Sequence, residues 1–406
     1  MEREYARFTV SAKAERALRT GHPWVYGEEV TAVDGSYQPG DIVDVRSGKG
    51  RWLGSGFVNG HSKIRVRVIS RNANDRFDEA FFRRRIRYAL EYRKNVMGSD
   101  FSACRLIFGE ADQFPGLTVD RFGDILVAEV LSLGMDRRKG LLFRLLAEEL
   151  TDMGETVSAI YERSDSPLRA KEGLENFVGF ADIPGLRCDL NGHVTISENG
   201  ILYDVDYFNG QKTGFFLDQK YNRLAAARLA PGKRVLDCFT HTGAFALNAA
   251  KAGAESVTAV DISADAVAQA RHNAALNGLS DRMEFLQADV FQLLTDAAKG
   301  PTRWDYIILD PPAFTKSSST VDAAYRGYRE INRRAMQLLP RGGYLATCSC
   351  SHFMPAPKFT EMLRDAASDA SVSLRQIEAR QQAPDHPILW GVPETDYLKF
   401  YLFQVV

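Results

Sequence analysis

Nowhere in this 406-residue chain does an apolar run approach the ~20 residues that cross a bilayer, which excludes a helical membrane protein and a membrane partner. Cysteine is scarce: Cys104, Cys188, Cys238, Cys348 and Cys350 are odd in number and contain no Cys-x-x-Cys pair. That excludes a disulfide framework and a zinc ribbon, implies no metal set, and reads as reduced thiols. Charge of one sign is also missing. The 51 Lys+Arg against 52 Asp+Glu leave a net charge of −1, so a nucleic-acid partner has to be argued locally. There is no fixed-period repeat and no Ser/Gly- or Gln-rich tract, which removes solenoids and long flexible tails. The opening Met1-Glu-Arg-Glu-Tyr-Ala-Arg carries charges where a secretion signal needs an apolar run, and the expectation is a cytoplasmic protein. What remains, 45% hydrophobic and 25% charged, is an ordinary globular composition with length for two or three domains.

The first seventy or so residues hold short β-like runs at 41–46 and 63–69 between glycine-bearing turns, which predicts a β-rich domain over 1–73. In the second run the period of two puts Lys63, Arg65 and Arg67 on one face and Ile64, Val66 and Val68 on the other. Residues 46–100 contain fourteen Lys/Arg against five Asp/Glu, an excess of nine, with Arg83, Arg84, Arg85 and Arg87 grouped on a predicted helix over 77–96. The excess reads either as a solvated face or as a phosphate-contact surface. A middle block over 74–184 adds strand-like 117–120 and 124–131 and an amphipathic helix near 138–150, which predicts a small α+β domain. Over 185–406 apolar runs at 234–238, 256–260, 283–286 and 305–309 alternate with helical stretches, followed by runs at 343–348 and 397–406. Alternation of this kind predicts a doubly wound α/β domain with a mostly parallel sheet.

In such a sheet ligands bind outside the carboxyl ends of the strands, where strand order reverses. The first strand ends in Asp237-Cys-Phe-Thr-His-Thr-Gly-Ala-Phe, where Gly243 would let a ligand approach the backbone. The second ends at Asp261, eighteen residues later, suited to ribose hydroxyls. A nicotinamide dinucleotide or S-adenosylmethionine could use that pair. The loop keeps one glycine with bulky Phe239, His241 and Phe245 instead of a pyrophosphate cradle, which favours S-adenosylmethionine. Asp289 is a further carboxylate, suited to the adenine amino group or to capping the helix that begins near Val290.

The fourth strand ends in Ile307-Ile-Leu-Asp-Pro-Pro-Ala-Phe. Pro311 and Pro312 stop the strand and stiffen the turn, presenting Asp310 to a base edge and Phe314 for stacking. The fifth ends in Thr347-Cys-Ser-Cys-Ser-His, with both thiols on one side. Cys350, at the strand's end, is the candidate nucleophile for an electron-poor ring carbon, and Cys348, deeper in, is the structural thiol. His352 either lowers the Cys350 pKa or points outward.

Three strings carry a family resemblance: Gly21-His-Pro-Trp-Val-Tyr, Phe108-Gly-Glu-Ala-Asp-Gln-Phe-Pro-Gly-Leu-Thr-Val-Asp-Arg-Phe-Gly-Asp, and Asn209-Gly-Gln-Lys-Thr-Gly-Phe-Phe-Leu-Asp-Gln. Over essentially its whole length the chain resembles bacterial and archaeal 23S ribosomal RNA (cytosine-5)-methyltransferases with an N-terminal PUA domain. The resemblance implies a PUA domain, a central α+β domain and a Rossmann-like methyltransferase, with S-adenosylmethionine as donor and 23S ribosomal RNA as partner; it admits a homodimer. It implies a donor site covered by Lys212, Thr213, Gly214, Phe215, Asp218 and Gln219. Asp237, Phe239, Gly243, Asp261, Ile262, Asp289, Val290 and Asp310 would surround the donor and target base, and Cys350 falls at the nucleophile position. Arg65, Arg67, Arg83 and Arg84 would grip RNA, with Pro311, Pro312 and Phe314 at the base. The chain departs from the family pattern at Ala313 after Pro-Pro, in place of lysine, and at His352 after Ser-Cys-Ser, in place of glycine. Guanine methylation on a similar Asp-Pro-Pro loop, and a non-catalytic RNA-binding or ribosome-assembly role, are the alternatives.

Overall fold

Period-two apolar runs and glycine turns build the first part of the chain, seen in a computed structural model that describes residues 4–300, 304–315 and 317–406. The chain divides into two compact units. The first comprises Met1–Ile196, Val205–Leu217 and Pro384–Thr395, and the second Ser197–Asp204, Asp218–Ala383 and Asp396–Val406. No helix among the described residues is long and apolar enough to cross a membrane.

The first unit opens with a six-stranded sheet in the order Trp24–Tyr26, Ile64–Ser70, Trp52–Val58, Ile42–Ser47, Arg7–Val10, Val30–Asp34. Phe8, Val10, Val25, Val43, Val45, Val58 and Val66 fill its core. Ile42–Ser47 is buried almost throughout, since its antiparallel partner Trp52–Val58 and its parallel partner Arg7–Val10 flank it. A five-stranded sheet follows, in the order Phe177–Phe180, Ala159–Ser164, Ile125–Val130, Leu117–Phe122, Ala103–Phe108. Its long helix, Glu79–Met97, starts where the Asp78 side chain accepts from the Phe81 amide at 3.0 Å, satisfying one of the helix's unpaired N–H groups. A second helix, Lys139–Asp152, packs beside it.

The second unit is the doubly wound domain that the alternation of runs predicts. Its strands are β1 (Arg234–Cys238), β2 (Ser256–Asp261), β3 (Met283–Gln287), β4 (Tyr306–Leu309), β5 (Tyr344–Ser349), β6 (Leu374–Arg380) and β7 (Lys399–Val405). Its helices are α1 (Lys220–Ala227), α2 (Ala244–Lys251), α3 (Ala264–Leu276), α4 (Val290–Ala297), α5 (Val321–Leu338) and α6 (Ala356–Asp369). The sheet order is β3-β2-β1-β4-β5-β7-β6. The first five strands are parallel, and β7 runs antiparallel to both β5 and β6. The β4 residues Tyr306, Ile307, Ile308 and Leu309 are fully buried, because helices cover both faces of a parallel sheet. Strand order reverses between β1 and β4, so the cleft for a ligand lies at their carboxyl ends.

β6 is an element the sequence pattern does not announce. Leu-Arg-Gln-Ile-Glu-Ala-Arg is polar and mostly exposed, as an edge strand paired on one side only can be.

Candidate active site

Asp237 is the last residue but one of β1 and is buried, as are all its β1 neighbours but Arg234. Helix α2 begins after Gly243, which has no side chain with which to cap it, so Asp237 does so: its Oδ2 accepts from the Ala246 amide at 3.0 Å and from the Thr240 hydroxyl at 2.6 Å. Its Oδ1 has no hydrogen-bond partner among the described residues. Burial, with Asp310 and Asp261 nearby, raises the Asp237 pKa to about 7.

Between Asp237 and Gly243 the backbone takes left-handed conformations at two bulky residues, Phe239 (φ 64°) and His241 (φ 50°). Such positions cost on the order of 1–3 kcal/mol each and persist only where surrounding bonds fix them. Here the Thr240 amide donates to the Val260 carbonyl (2.9 Å), the His241 amide to Asp261 Oδ2 (2.9 Å), and Asn273 to the Thr242 carbonyl (3.0 Å). Burial depresses the His241 pKa to about 4, leaving a neutral imidazole. Gly243 also serves the packing of this loop against α3. A Cβ there would lie 3.0 Å from Ala270 Cβ, so the glycine admits helix α3, and its φ of 83° suits no larger residue.

Asp261 closes β2, accepting from the His241 and Ser263 amides at 2.9 and 3.0 Å, which leaves each oxygen a second lone pair for hydroxyl donors. Ile262, next in the chain, is 67% exposed. Asp289 caps α4 by accepting from the Gln292 amide at 2.9 Å, the helix-capping alternative, and Val290 behind it is buried. Carboxylates at the ends of β1 to β4, one buried acceptor without a donor, and an exposed aliphatic side chain beside Asp261 match the chemistry of S-adenosylmethionine, with its cationic sulfonium and ammonium, ribose hydroxyls and flat purine.

Asp310 follows β4, its amide reaching the Cys238 carbonyl at 3.4 Å. Gln219 donates to Asp310 Oδ1 at 3.1 Å and is held in turn by Asn222 at 2.7 Å. Burial and the nearby Asp218 carboxylate raise Asp310 to about 6, against the opposing pull of Arg223, Gln219 and the Cys348 thiol. Asp218 accepts from the Tyr397 hydroxyl at 2.6 Å. Pro311 is buried and Pro312 exposed. The Phe314 ring lies 4.6 Å from Tyr328 and 6.1 Å from Phe291. It is therefore partly packed into the core instead of standing free for stacking.

Cys348 is fully buried, and burial beside Asp310 pushes its pKa well up, so it stays a neutral thiol. Cys350, one residue beyond β5, is half-buried. Two groups near it escape the sequence reading. Ser349 donates to the Tyr328 hydroxyl at 3.1 Å, and burial raises that phenol. Lys399, the first residue of β7, is buried and donates to the carbonyls of Ser351 (2.6 Å) and Tyr397 (2.7 Å). A lysine inside the apolar run Leu398-Lys-Phe-Tyr-Leu was the available signal.

Lys212, Thr213, Gly214 and Phe215 belong to the first unit, in its Val205–Leu217 segment. Thr213 donates to Asp120 Oδ2 at 2.6 Å, and Asp120 also pairs with Arg105 at 2.7 Å. Gly214 is required because a Cβ would meet Val205 at 2.9 Å at a φ of 121°.

The expected cationic face is largely neutralised within the first unit. Arg83 pairs with Glu148 (2.6 Å), Arg87 with Glu149 (2.7 Å) and Arg84 with Asp75 (2.9 Å), while Arg85 reaches the Ile69 carbonyl. Arg67 is mostly buried against Glu172 at 2.5 Å, and Arg65 donates to the Gly60 carbonyl. The physical reason is that Glu148, Glu149 and Glu172 lie outside the counted window and fold back onto it. A different group is left exposed without a carboxylate partner among the described residues: Arg16 and Arg19 on helix Ala12–Thr20, with Lys49 and Arg51, around one shallow depression.

Residues 187–404 match the S-adenosylmethionine-dependent methyltransferase family, and residues 8–71 a PUA-like domain. The chain is similar to Ribosomal RNA large subunit methyltransferase I of Shewanella denitrificans, 42% identical over 404 residues, which is 98% of this chain and 99% of that one. It is also similar to the protein of the same name from Pseudoalteromonas atlantica, at 39% over 403 residues, 99% of this chain and all of the other. Among solved structures, a SAM-dependent methyltransferase from Streptococcus mutans aligns over 98% of this chain and all of its own, with a TM-score of 0.82 at 22% identity. A methyltransferase structure complexed with SAH aligns with the same score, identity and coverage. Both share the fold.

Proposed function

The chain belongs to the S-adenosylmethionine-dependent methyltransferases and carries an N-terminal PUA-like domain, and we propose that it methylates 23S RNA of the large ribosomal subunit, forming 5-methylcytosine through a covalent adduct on Cys350. Full-length relatives named as large-subunit ribosomal RNA methyltransferases support the substrate class. The observation that carries the chemistry is a half-buried cysteine, Cys350, one residue past the strand next to the Asp310 loop, with a buried cation, Lys399, bonded to the following carbonyl. We place an RNA-binding part at 1–73, a central α+β part at 74–184 and the catalytic part at 185–406.

A base within a helix cannot present its ring carbons, so the cytosine enters unpaired or flipped. The Cys350 thiolate adds to carbon 6 while nitrogen 3 takes a proton from Asp310, whose raised pKa near 6 keeps a protonated fraction available. Addition moves electron density to carbon 5, making it nucleophilic. Asp237, Asp261, Ile262 and Asp289 hold the donor, and S-adenosylmethionine, when bound, supplies an electrophilic methyl on its sulfonium. Once carbon 5 is methylated, its proton passes to solvent water as the carbon 6–sulfur bond breaks, which releases the thiolate and restores the ring, and nitrogen 3 returns its proton to the Asp310 carboxylate.

RNA phosphates are gripped by Arg16, Arg19, Lys49 and Arg51, with Arg65 available by releasing the Gly60 carbonyl. The test is transfer of labelled methyl to ribosomal RNA lacking its modifications, with Cys350→Ala alongside, followed by nucleoside analysis. Labelled 5-methylcytidine that disappears in the variant is the expected result. Normal turnover by Cys350→Ala, or labelled methylguanosine that survives it, overturns the assignment.

A further inference from the structure

The position of Lys399 adds a component to this chemistry, resting on the reading of Cys350 as nucleophile. β7 pairs antiparallel with β5, placing Lys399 opposite Ser349, one residue before the thiol. Its flanking residues Leu398 and Phe400 are fully buried, and Lys399 is itself buried. An ammonium in such a place needs compensation, since taking a charge from water without partners is costly. Two of its three N–H donors are satisfied by the Ser351 and Tyr397 carbonyls. The first of these lies on the residue after Cys350, so the lysine also ties down the turn that carries the thiol.

We propose that Lys399 is the positioning residue of Cys350, fixing its turn through the Ser351 carbonyl and supplying the buried positive charge that favours the thiolate. Other titratable groups that interact with the thiol are Tyr328 from α5 and Cys348 from β5, with Asp310 from the loop after β4 beyond Cys348, while His352, two residues along the chain, is half-buried with its ring 5.4 Å from that of Phe353. Burial keeps Tyr328 and Cys348 neutral, and Asp310 opposes a thiolate, so none of the three supplies the positive charge. Burial lowers Lys399 to about 8, against the opposing pull of Cys350 and Asp396, so at neutral pH it is still mostly the cation.

The test is the pH dependence of Cys350 alkylation by iodoacetamide, followed by mass spectrometry on the parent, Lys399→Met and Lys399→Arg. With the cation removed the thiol pKa rises by about one unit, so alkylation at pH 7 slows about tenfold in Lys399→Met, while Lys399→Arg stays within about threefold of the parent. A Lys399→Met profile that superimposes on the parent overturns the proposal and leaves the lysine a structural tie. A second measurement needs no lysine variant. The thiolate absorbance of the parent minus that of Cys350→Ala gives the midpoint directly: a value below the ordinary ~8.5 is expected, and one at or above it overturns the role. Methyl transfer by Cys350→Ala tests the nucleophile separately, so loss of turnover there with an ordinary thiol midpoint refutes only the lysine.

Discussion

The helix Glu79–Met97 and the carboxyl edge of the second unit's sheet carry opposite charges and treat them in opposite ways. On the helix, Arg83 and Arg87 meet Glu148 and Glu149 at 2.6–2.7 Å, which raises both arginines and lowers Glu148, while Glu79 is lowered by Arg144 from the neighbouring helix and by Arg83, each partner stabilising the other's charged form. At the sheet edge, Asp237 and Asp310 are raised to about 7 and about 6, because burial and neighbouring carboxylates disfavour their charged forms. The denser cluster in the sequence is the one already paired within the fold, and the sparser set is the one the proposed chemistry uses. The direction of a shift separates the two: pairing pushes acids down and bases up, while a site held ready for a ligand pushes its acids up.

Two substitutions at the edge sharpen that contrast. Asp310→Asn keeps the shape and the bond to Gln219 but has no proton to give, so kcat falls about 10²–10⁴-fold while S-adenosylmethionine affinity, read by calorimetry, moves less than about threefold. As a general acid Asp310 acts protonated, so the parent's rate has a limb that falls as pH rises through about 6, and the variant lacks it. An effect on donor binding alone would make Asp310 a cofactor ligand. Asp237→Asn has a smaller effect and one of unusual sign. In the unfolded chain the carboxyl titrates near 3.8 and in the fold near 7, so the fold holds an extra proton between. Its contribution to stability is complete below 3.8, is lost as pH rises to 7, and stays lost above. The amide still accepts from Thr240 and Ala246, so at pH 8 the variant gains on the order of 1–3 kcal/mol by denaturant titration and at pH 4 gains almost nothing, while donor affinity falls about tenfold. Equal destabilisation at both pH values would show that charge is not what strains this position.

The second unit was the more legible in sequence because a parallel sheet buries its strands on both faces. The central runs at 234–238, 256–260 and 305–309 therefore stand out as largely apolar segments, and the candidate site residues fall at the strand ends. Of the two edge strands, β3 keeps enough apolar residues in Met-Glu-Phe-Leu to be seen, whereas β6, Leu-Arg-Gln-Ile-Glu-Ala-Arg, is too polar to stand out. Asp237, Asp261, Asp310 and Cys350 could be placed by counting from strand ends. Lys399 could not, because its role depends on β7 pairing antiparallel to β5, across some fifty residues of chain. The same limit misdirected the reading of the arginines. A count over 46–100 cannot see Glu148 or Glu149, and it stops short of Arg16 and Arg19.

That misdirection yields the mildest prediction, a direct comparison of two kinds of exposed arginine. Arg84 is on the surface but held by Asp75, so a phosphate must displace the carboxylate before gaining the guanidinium, and the two bonds nearly cancel. Arg16 and Lys49 have no such carboxylate among the described residues, and each phosphate they neutralise releases counterions. Replacing Arg16 and Lys49 by Gln should weaken RNA binding several-fold at low salt. The slope of log affinity against log salt should flatten by about 0.7 for every phosphate of single-stranded RNA that is no longer neutralised. Arg84→Gln should leave that slope within about 0.2 of the parent, because it removes a charge already engaged inside the fold. If fluorescence anisotropy across a salt series gives Arg84→Gln the same drop in slope as Arg16→Gln, surface ion pairs here yield readily to phosphate. The helix cluster would then return as part of the RNA face, and pairing would no longer separate structural from functional charge in this protein.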